Sequence, residues 1–148
     1  MLAEQGGTLS AYAGDALFAV WEADPPAAAV PAAVEFALAA SEHLDHVAPE
    51  LALRSPDGGP IRMGWAVVLG PVAVSALTHS HVAVIGDTTN LAFRLSGLAG
   101  RSELPDVIVT DEVREAIPHN YRLSGPIEVR TKGREGLVPV YGVSRPTT

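Results

Sequence analysis

The segment 83–99, which reads A-V-I-G-D-T-T-N-L-A-F-R-L-S-G-L-A, constrains the fold of this chain more than any other stretch. Its β-branched start predicts a strand that reaches Gly86, and the leucines that follow the turn recur at helical spacing. Asn90 and Arg94 stand four residues apart on this predicted helix, so their side chains lie one turn above each other. An amide beside a planar guanidinium suits phosphate oxygens or a charged transition state. The segment therefore predicts a strand, a tight turn and a helix that presents an anion-binding pair.

The composition predicts one acidic, globular domain that spans residues 1–148. Hydrophobic residues make up 47% of the 148 residues and charged residues 18%, which is typical of a chain that buries a core. The net charge of −7 disfavours binding to nucleic acid or to an anionic membrane surface. The absence of cysteine excludes disulfides and thiolate metal sites. Without a signal peptide or an apolar run of ~18 residues, we expect a cytoplasmic protein with no membrane span.

Strand and helix signals alternate along the rest of the chain, which predicts an α+β fold. The first two strands flank a Gly-Asp turn and predict a hairpin at the start of the chain. The segment 61–69 is apolar on both faces, as expected of a central strand. We predict strands at residues 8–12, 16–21, 61–69, 72–76, 107–109, 127–131 and 138–143, and further helices at 27–47 and 110–117.

Several short motifs occur in a fixed order along these elements. They are G-D at 14–15, M-G at 63–64 leading to G-P-V at 70–72, I-G-D-T-T-N-L-A-F-R-L at 85–95, and K-G at 132–133 before P-V-Y at 139–141. In this order and at these distances, they resemble the class III adenylate/guanylate cyclase catalytic domain over about residues 4–143. The resemblance implies a ferredoxin-like α+β fold of βαββαβ type, here lacking the first strand and helices of the family.

The resemblance also implies an activity and a set of site residues. Class III cyclases form a 3′,5′-cyclic nucleotide and pyrophosphate from ATP or GTP, using Mg²⁺ or Mn²⁺ at a site shared between two protomers. By this resemblance Asn90 positions the ribose, Arg94 stabilises the pentavalent phosphorus and Lys132 contacts the terminal phosphates. Asp15 corresponds to the second of two metal-binding aspartates. The implied partner is a second copy of the chain or a complete cyclase domain.

The chain departs from the family at three positions of the site. Only fourteen residues precede Asp15, so the strand that carries the first metal aspartate has no counterpart. The two purine-selecting positions hold Ala11 and Ala83, whose methyl groups cannot hydrogen-bond a base edge. We therefore expect a domain that is inactive, or dependent on a partner, as it stands. The alternatives are a non-catalytic dimerisation or regulatory module and a nucleotide sensor without turnover.

Each of these residues also has a simpler interpretation. Asp15 fits an ordinary turn aspartate, and Lys132 fits plain surface charge. Arg94 fits a solvated helix arginine, with Asn90 as a capping group in the first turn. We expect Asp87 to cap the helix that follows it rather than to bind a ligand, because an acceptor there meets free backbone donors.

Overall fold

The computed structural model describes residues 6–13, 16–50, 58, 63–76, 82–101, 103–132 and 135–146. The strands are β1 (Thr8–Ala13), β2 (Ala16–Val20), β3 (Trp65–Val67), β4 (Ala73–Ala76), β5 (Val82–Ile85), β6 (Val107–Thr110), β7 (Arg122–Val129) and β8 (Val138–Ser144). The helices are α1 (Val30–Glu50), α2 (Asp87–Leu98) and α3 (Asp111–Ala116), and a 3-10 turn at Pro26–Ala29 leads into α1. This mixture of strands and helices confirms the predicted α+β class.

The core is built around β6, a strand that is buried on both faces. The largest described sheet has the order β3-β6-β8-β7, in which β3 is parallel to β6 and β8 is antiparallel to both of its neighbours. Val107 and Val109 of β6 pack with residues of α1 and α3 on one face of the sheet. Ile108 packs on the other face, with Leu91 and Leu95 of α2. The helices therefore form two layers that enclose the sheet.

The predicted central strand at 61–69 is shorter than expected over its described part, 63–69, and lies at one side of the described sheet. The structure has a strand only at Trp65–Val67, and among the described residues this strand, β3, pairs with β6 alone. Helices nevertheless cover both of its faces, since Trp65 packs on the α1 side and Ala66 on the α2 side. Apolar residues on both faces are explained by these two helices and carry no information about the strand edges, so the central position stays a prediction.

Two antiparallel hairpins lie outside the four-stranded sheet. β1 pairs with β2 from Thr8 opposite Val20 to Ala13 opposite Ala16, which confirms the predicted hairpin. β4 pairs with β5, and β1 lies against β5. Within the described ranges no helix is long and apolar enough to cross a bilayer.

The strand β7 begins five residues before its predicted start at Ile127. It contains Gly125 and Pro126, which as a pair favour a turn in sequence. The structure accommodates them at a shift of register between Ser124 and Ile127, in a strand whose described partner is β8 alone. An edge strand tolerates proline because the missing N–H faces away from the ladder, so the sequence signal for a break was misleading here.

Candidate functional site

The turn before α2 depends on Gly86, which has φ of +142°, a conformation that favours glycine. Gly86 is the N-cap of α2, and Asp87 is the first residue of the helix, exposed and without a side-chain capping bond. The prediction that Asp87 caps the helix was therefore wrong, because the chain enters the helix one residue earlier. A carboxylate in the first turn still interacts favourably with the positive end of the helix dipole.

Thr88 joins two of the sequence motifs in space. Its hydroxyl donates a hydrogen bond of 2.8 Å to the carbonyl oxygen of Pro71. A Cβ atom at Gly70 would lie 2.6 Å from the Thr88 hydroxyl, so a glycine is required for this approach. The G-P-V and I-G-D-T motifs thus form one packed unit. Sequence reasoning missed this contact, because nothing in the local spacing relates residues seventeen positions apart.

The helix α2 presents three different faces. Leu91 and Leu95 are buried in the core beneath it, and Phe93 stacks on Phe18 of β2. Asn90 and Arg94 share an exposed face, one turn apart, which places their Cβ atoms about 6 Å from each other. Among the described residues, no hydrogen bond or ion pair engages either of these two side chains. The predicted pair is therefore exposed and has no side-chain partner among the described residues.

Lys132 follows the end of β7 and is not part of α2. Its side chain is exposed, and within the described part of the chain no hydrogen bond or ion pair joins it to Asn90 or Arg94. The structure thus brings two of the predicted site residues together on one helix face and leaves the third on another element. The role of Lys132 in contacting the terminal phosphates of a nucleotide stays a prediction.

The two purine-selecting positions lie on neighbouring strands. Ala11 is in β1, opposite Phe18 of β2, and Ala83 is in β5, opposite Ser75 of β4. Because β1 lies against β5, the two strands that carry these positions are adjacent.

The described residues do not form a site that fits a divalent cation. Mg²⁺ is held in proteins by carboxylates that converge on one position. Among the residues that the structure describes, no group of three or more His, Asp or Glu side chains could hold an ion. Asp15, the carboxylate that the resemblance assigns to the metal, lies outside the described residues. Its role as a ligand therefore stays a prediction.

The acidic residues with shifted pKa values belong to ion pairs elsewhere on the surface. Arg145 binds Glu35 at 2.7 Å and Glu42 at 2.5 Å, and the hydroxyl of Tyr121 donates a hydrogen bond of 2.8 Å to Glu35. The hydrogen bond from Arg145 is the main cause that lowers the pKa of Glu35 below its usual value of 4.5. These contacts tie the end of β8 to α1. They are structural and lie outside the predicted site.

A second ion pair of this kind lies on α3. The guanidinium of Arg114 hydrogen-bonds to Asp111 at 2.9 Å and lies over the ring of Tyr141. Its hydrogen bond holds the pKa of the Asp111 carboxyl below the usual range. Like the cluster on α1, this pair fastens a helix to β8 and carries no sign of a ligand.

Comparisons with known proteins give a match of fold without a match of sequence. No protein-family model matches the chain, and no curated protein matches it either. Solved structures do match. The adenylyl cyclase CyaB from P. aeruginosa has a TM-score of 0.76 at 23% identity, over 98% of this chain and 75% of that chain.

Two further structures extend this likeness to other cyclases. The guanylate cyclase domain of RhGC from Catenaria anguillulae, solved in complex with GTP, has a TM-score of 0.69 at 21% identity, over 98% of this chain and 76% of that chain. A bacterial light-regulated adenylyl cyclase has a TM-score of 0.75 at 18% identity, over 99% of this chain and 42% of that chain. The predicted nucleotide cyclase fold is therefore confirmed. Since both adenylyl and guanylyl cyclases match, the fold alone does not select a base.

Proposed function

We propose that this chain is a class III nucleotidyl cyclase homology domain that contributes one half of an active site shared with a partner domain. The observation that carries the proposal is the exposed pair Asn90 and Arg94 on α2, within a fold that matches cyclase catalytic domains. The order of the sequence motifs supports it as well. The reaction is the formation of a 3′,5′-cyclic nucleotide and pyrophosphate from ATP or GTP.

Arg94 is the residue that stabilises the reacting phosphate in this proposal. Its guanidinium has no ion-pair partner among the described residues, so its donors are available to the phosphate oxygens. Charge builds up on these oxygens as the ribose 3′ hydroxyl attacks, and a fixed cation lowers the energy of that transition state. Asn90, one turn away, positions the ribose, and Lys132 contacts the terminal phosphates.

The partner supplies the carboxylates that bind the metal ions. No cation site is formed by the residues that the structure describes, and Asp15 alone is a poor site for Mg²⁺. A complete cyclase domain has both metal aspartates, so pairing it with this chain assembles one full site. In a homodimer each site has Asp15 as its single assigned metal carboxylate, and we expect one carboxylate to hold Mg²⁺ weakly and to support little activity.

The experiment mixes this chain with a complete class III cyclase domain whose own transition-state arginine has been replaced. Neither protein alone should form product, because each lacks one half of the site. We expect the mixture to form cyclic AMP from ATP or cyclic GTP from GTP, measured by chromatography. Arg94→Ala should lower this rate by about 10²-fold or more, because it removes a charge-stabilising donor.

The matched control is Arg101→Ala, which removes another exposed arginine just after α2. We expect it to leave the rate of the mixture unchanged. No product from the mixture, or equal rates for the Arg94 and Arg101 variants, contradicts the half-site proposal.

A second candidate function is a non-catalytic regulatory module. It is favoured by Ala11 and Ala83, because a chain that does not choose a base needs no purine-selecting side chains. If the chain is such a module, it should form a complex with the complete cyclase in sedimentation velocity and change the rate at which that cyclase forms product. The Arg94→Ala variant should change that rate as the wild type does. A nucleotide sensor would instead bind ATP or GTP in equilibrium dialysis without forming product.

A further inference from the structure

Asp87 is an exposed carboxylate on the same face of α2 as Asn90 and Arg94. The three residues stand three and then four positions apart, so their side chains form one stripe along the helix. All three are exposed. The helix rise places the two ends of this stripe about 10 Å apart along the axis. A ligand that contacts Arg94 and Asn90 therefore reaches Asp87 if it extends one turn further toward the start of α2.

The carboxylate of Asp87 has no partner in the described structure. Gly86 is the N-cap of α2, and no hydrogen bond or ion pair among the described residues engages Asp87. Arg94 lies two turns away, whereas ion pairs within a helix form between residues three or four apart. The positive end of the helix dipole favours a carboxylate in the first turn. This interaction leaves the carboxylate oxygens able to accept hydrogen bonds.

The order of side chains along the stripe matches the order of groups along a nucleotide. Under the proposed function, Arg94 contacts the reacting phosphate and Asn90 positions the ribose. The next residue of the stripe is Asp87, and the next group of a nucleotide is the base. Ala83, one of the two purine-selecting positions, lies in β5, which ends at Ile85, two residues before Asp87. We therefore expect the base at the same end of α2 as Asp87.

A carboxylate at this place distinguishes the two purines. When ionised, its two oxygens only accept hydrogen bonds. Guanine presents two adjacent donors, N1–H and the 2-amino group, which match the two oxygens. Adenine presents one donor, the 6-amino group, beside N1, whose lone pair repels a carboxylate oxygen. The methyl groups of Ala11 and Ala83 cannot make this distinction, because they neither donate nor accept.

We infer that Asp87 is a specificity-determining residue and that the site on α2 binds guanine nucleotides. Its carboxylate accepts hydrogen bonds from N1–H and from the 2-amino group of the base. The inference rests on the proposed function, because it uses the contacts assigned there to Asn90 and Arg94. It goes beyond that function by naming GTP as the substrate.

The test measures kcat/KM for GTP and for ATP in the mixture of this chain with a complete cyclase domain whose transition-state arginine has been replaced. The complete site then combines α2 of this chain with the carboxylates of the partner, so this chain reads the base. We expect kcat/KM to be at least tenfold higher for GTP, because a matched pair of hydrogen bonds distinguishes bases by about this factor or more. Equal values, or a preference for ATP, overturn the inference and leave the half-site proposal standing.

The variant Asp87→Asn tests the residue itself. Its amide offers one acceptor and can donate to N1 of adenine, so we expect the ratio of kcat/KM for GTP to that for ATP to fall at least tenfold. A loss of stability would lower both values together and leave their ratio unchanged. Glu103→Gln is the matched control, because Glu103 is another exposed acidic residue, beyond the opposite end of α2. It should keep the wild-type ratio, and the same ratio for Asp87→Asn contradicts the inference.

Binding decides the question if the mixture forms no product, a result that contradicts the half-site proposal. Equilibrium dialysis in the presence of Mg²⁺ then measures the dissociation constants of GTP and ATP for this chain. We expect GTP to bind at least tenfold more tightly than ATP, and Asp87→Asn to remove this difference. Equal affinity for the two nucleotides, or binding of neither up to millimolar concentration, overturns the inference.

Discussion

At the scale of single residues, Arg145 shows how much stability depends on contacts between distant parts of the chain. It binds Glu35 and Glu42, which precede it by 110 and 103 residues, respectively. Tyr121 donates to the same Glu35 carboxylate. Three elements thus meet at one carboxyl group, whose pKa is lowered mainly by the hydrogen bond from Arg145.

This cluster predicts a dependence of stability on pH. Folding lowers the pKa of the Glu35 carboxyl below 4.5. The stabilisation of the folded state by the ionised carboxylate is therefore fully present above pH 4.5, and it is lost as the pH falls through the folded-state pKa. We expect Glu35→Gln to lower the free energy of unfolding by about 0.5–1 kcal/mol near pH 7. The difference from wild type should shrink below pH 4.5, as measured by urea denaturation between pH 7 and pH 3.

Glu50→Gln is the control, because Glu50 is an exposed residue of the same helix outside the cluster. It should change stability little at any pH. A destabilisation by Glu35→Gln that is the same at pH 3 and pH 7 would show that the charge of Glu35 is not involved.

At the scale of elements, α2 is fixed by close contacts at its two ends. Thr88 holds its first turn to Pro71. Near its other end, a Cβ at Gly64 would lie only 2.5 Å from the carbonyl oxygen of Ser96. Glycine at position 64 therefore allows the backbone before β3 to approach α2, and this approach orients the exposed face of the helix.

A pair of glycine substitutions tests this contact. We expect Gly64→Ala to lower the free energy of unfolding by about 2 kcal/mol, because the new methyl group meets backbone atoms that cannot move aside cheaply. Gly97→Ala adds a methyl group in open space on the same helix, and should be neutral or stabilising by up to about 1 kcal/mol. Urea denaturation measures the free energy of unfolding of both variants. Equal effects of the two substitutions would contradict the close approach of the backbone at Gly64 to α2.

At the scale of the whole molecule, the described hydrophobic core is centred on β6, and the two hairpins lie outside the four-stranded sheet. All four residues of β6 are buried, and two hydrophobic clusters meet across it. By contrast, β1 and β2 form a two-stranded sheet in the described structure. A two-stranded ribbon is marginally stable without further packing.

This arrangement predicts an uneven pattern of hydrogen exchange. Amides of β6 and β8 should exchange only when the whole molecule unfolds, whereas amides of β1 and β2 should exchange through local opening, faster by on the order of 100-fold. Mass spectrometry of peptic fragments measures the difference. Equal protection of β2 and β6 would show that the described hairpin is held as firmly as the core.

The sequence was sufficient to predict those structural features that depend on residues close together in the chain. The strand, turn and helix at 83–99 follow from spacing within one segment, and the exposed pair Asn90 and Arg94 follows from the same period. Which strands pair is decided by residues far apart in sequence, so the pairing of β3 with β6 could not be predicted. The same holds for the Arg145 cluster and for the hydrogen bond from Thr88 to Pro71. The assignments of Asp15, Lys132, Ala11 and Ala83 depend on resemblance and stay predictions.

The position of β8 in the sheet has a consequence for how the chain folds during synthesis. β8 lies between β6 and β7 and pairs with both, yet it follows both strands in the sequence and leaves the ribosome after them. Until it emerges, β6 has no neighbour on that side and β7 has no described partner at all. Between the emergence of β6 and that of β8, the nascent chain therefore holds a strand that is fully buried in the folded protein but still incompletely paired, a state that favours association with other chains. We expect chaperones to bind ribosome-bound chains that end before residue 138, and to release them once β8 is complete.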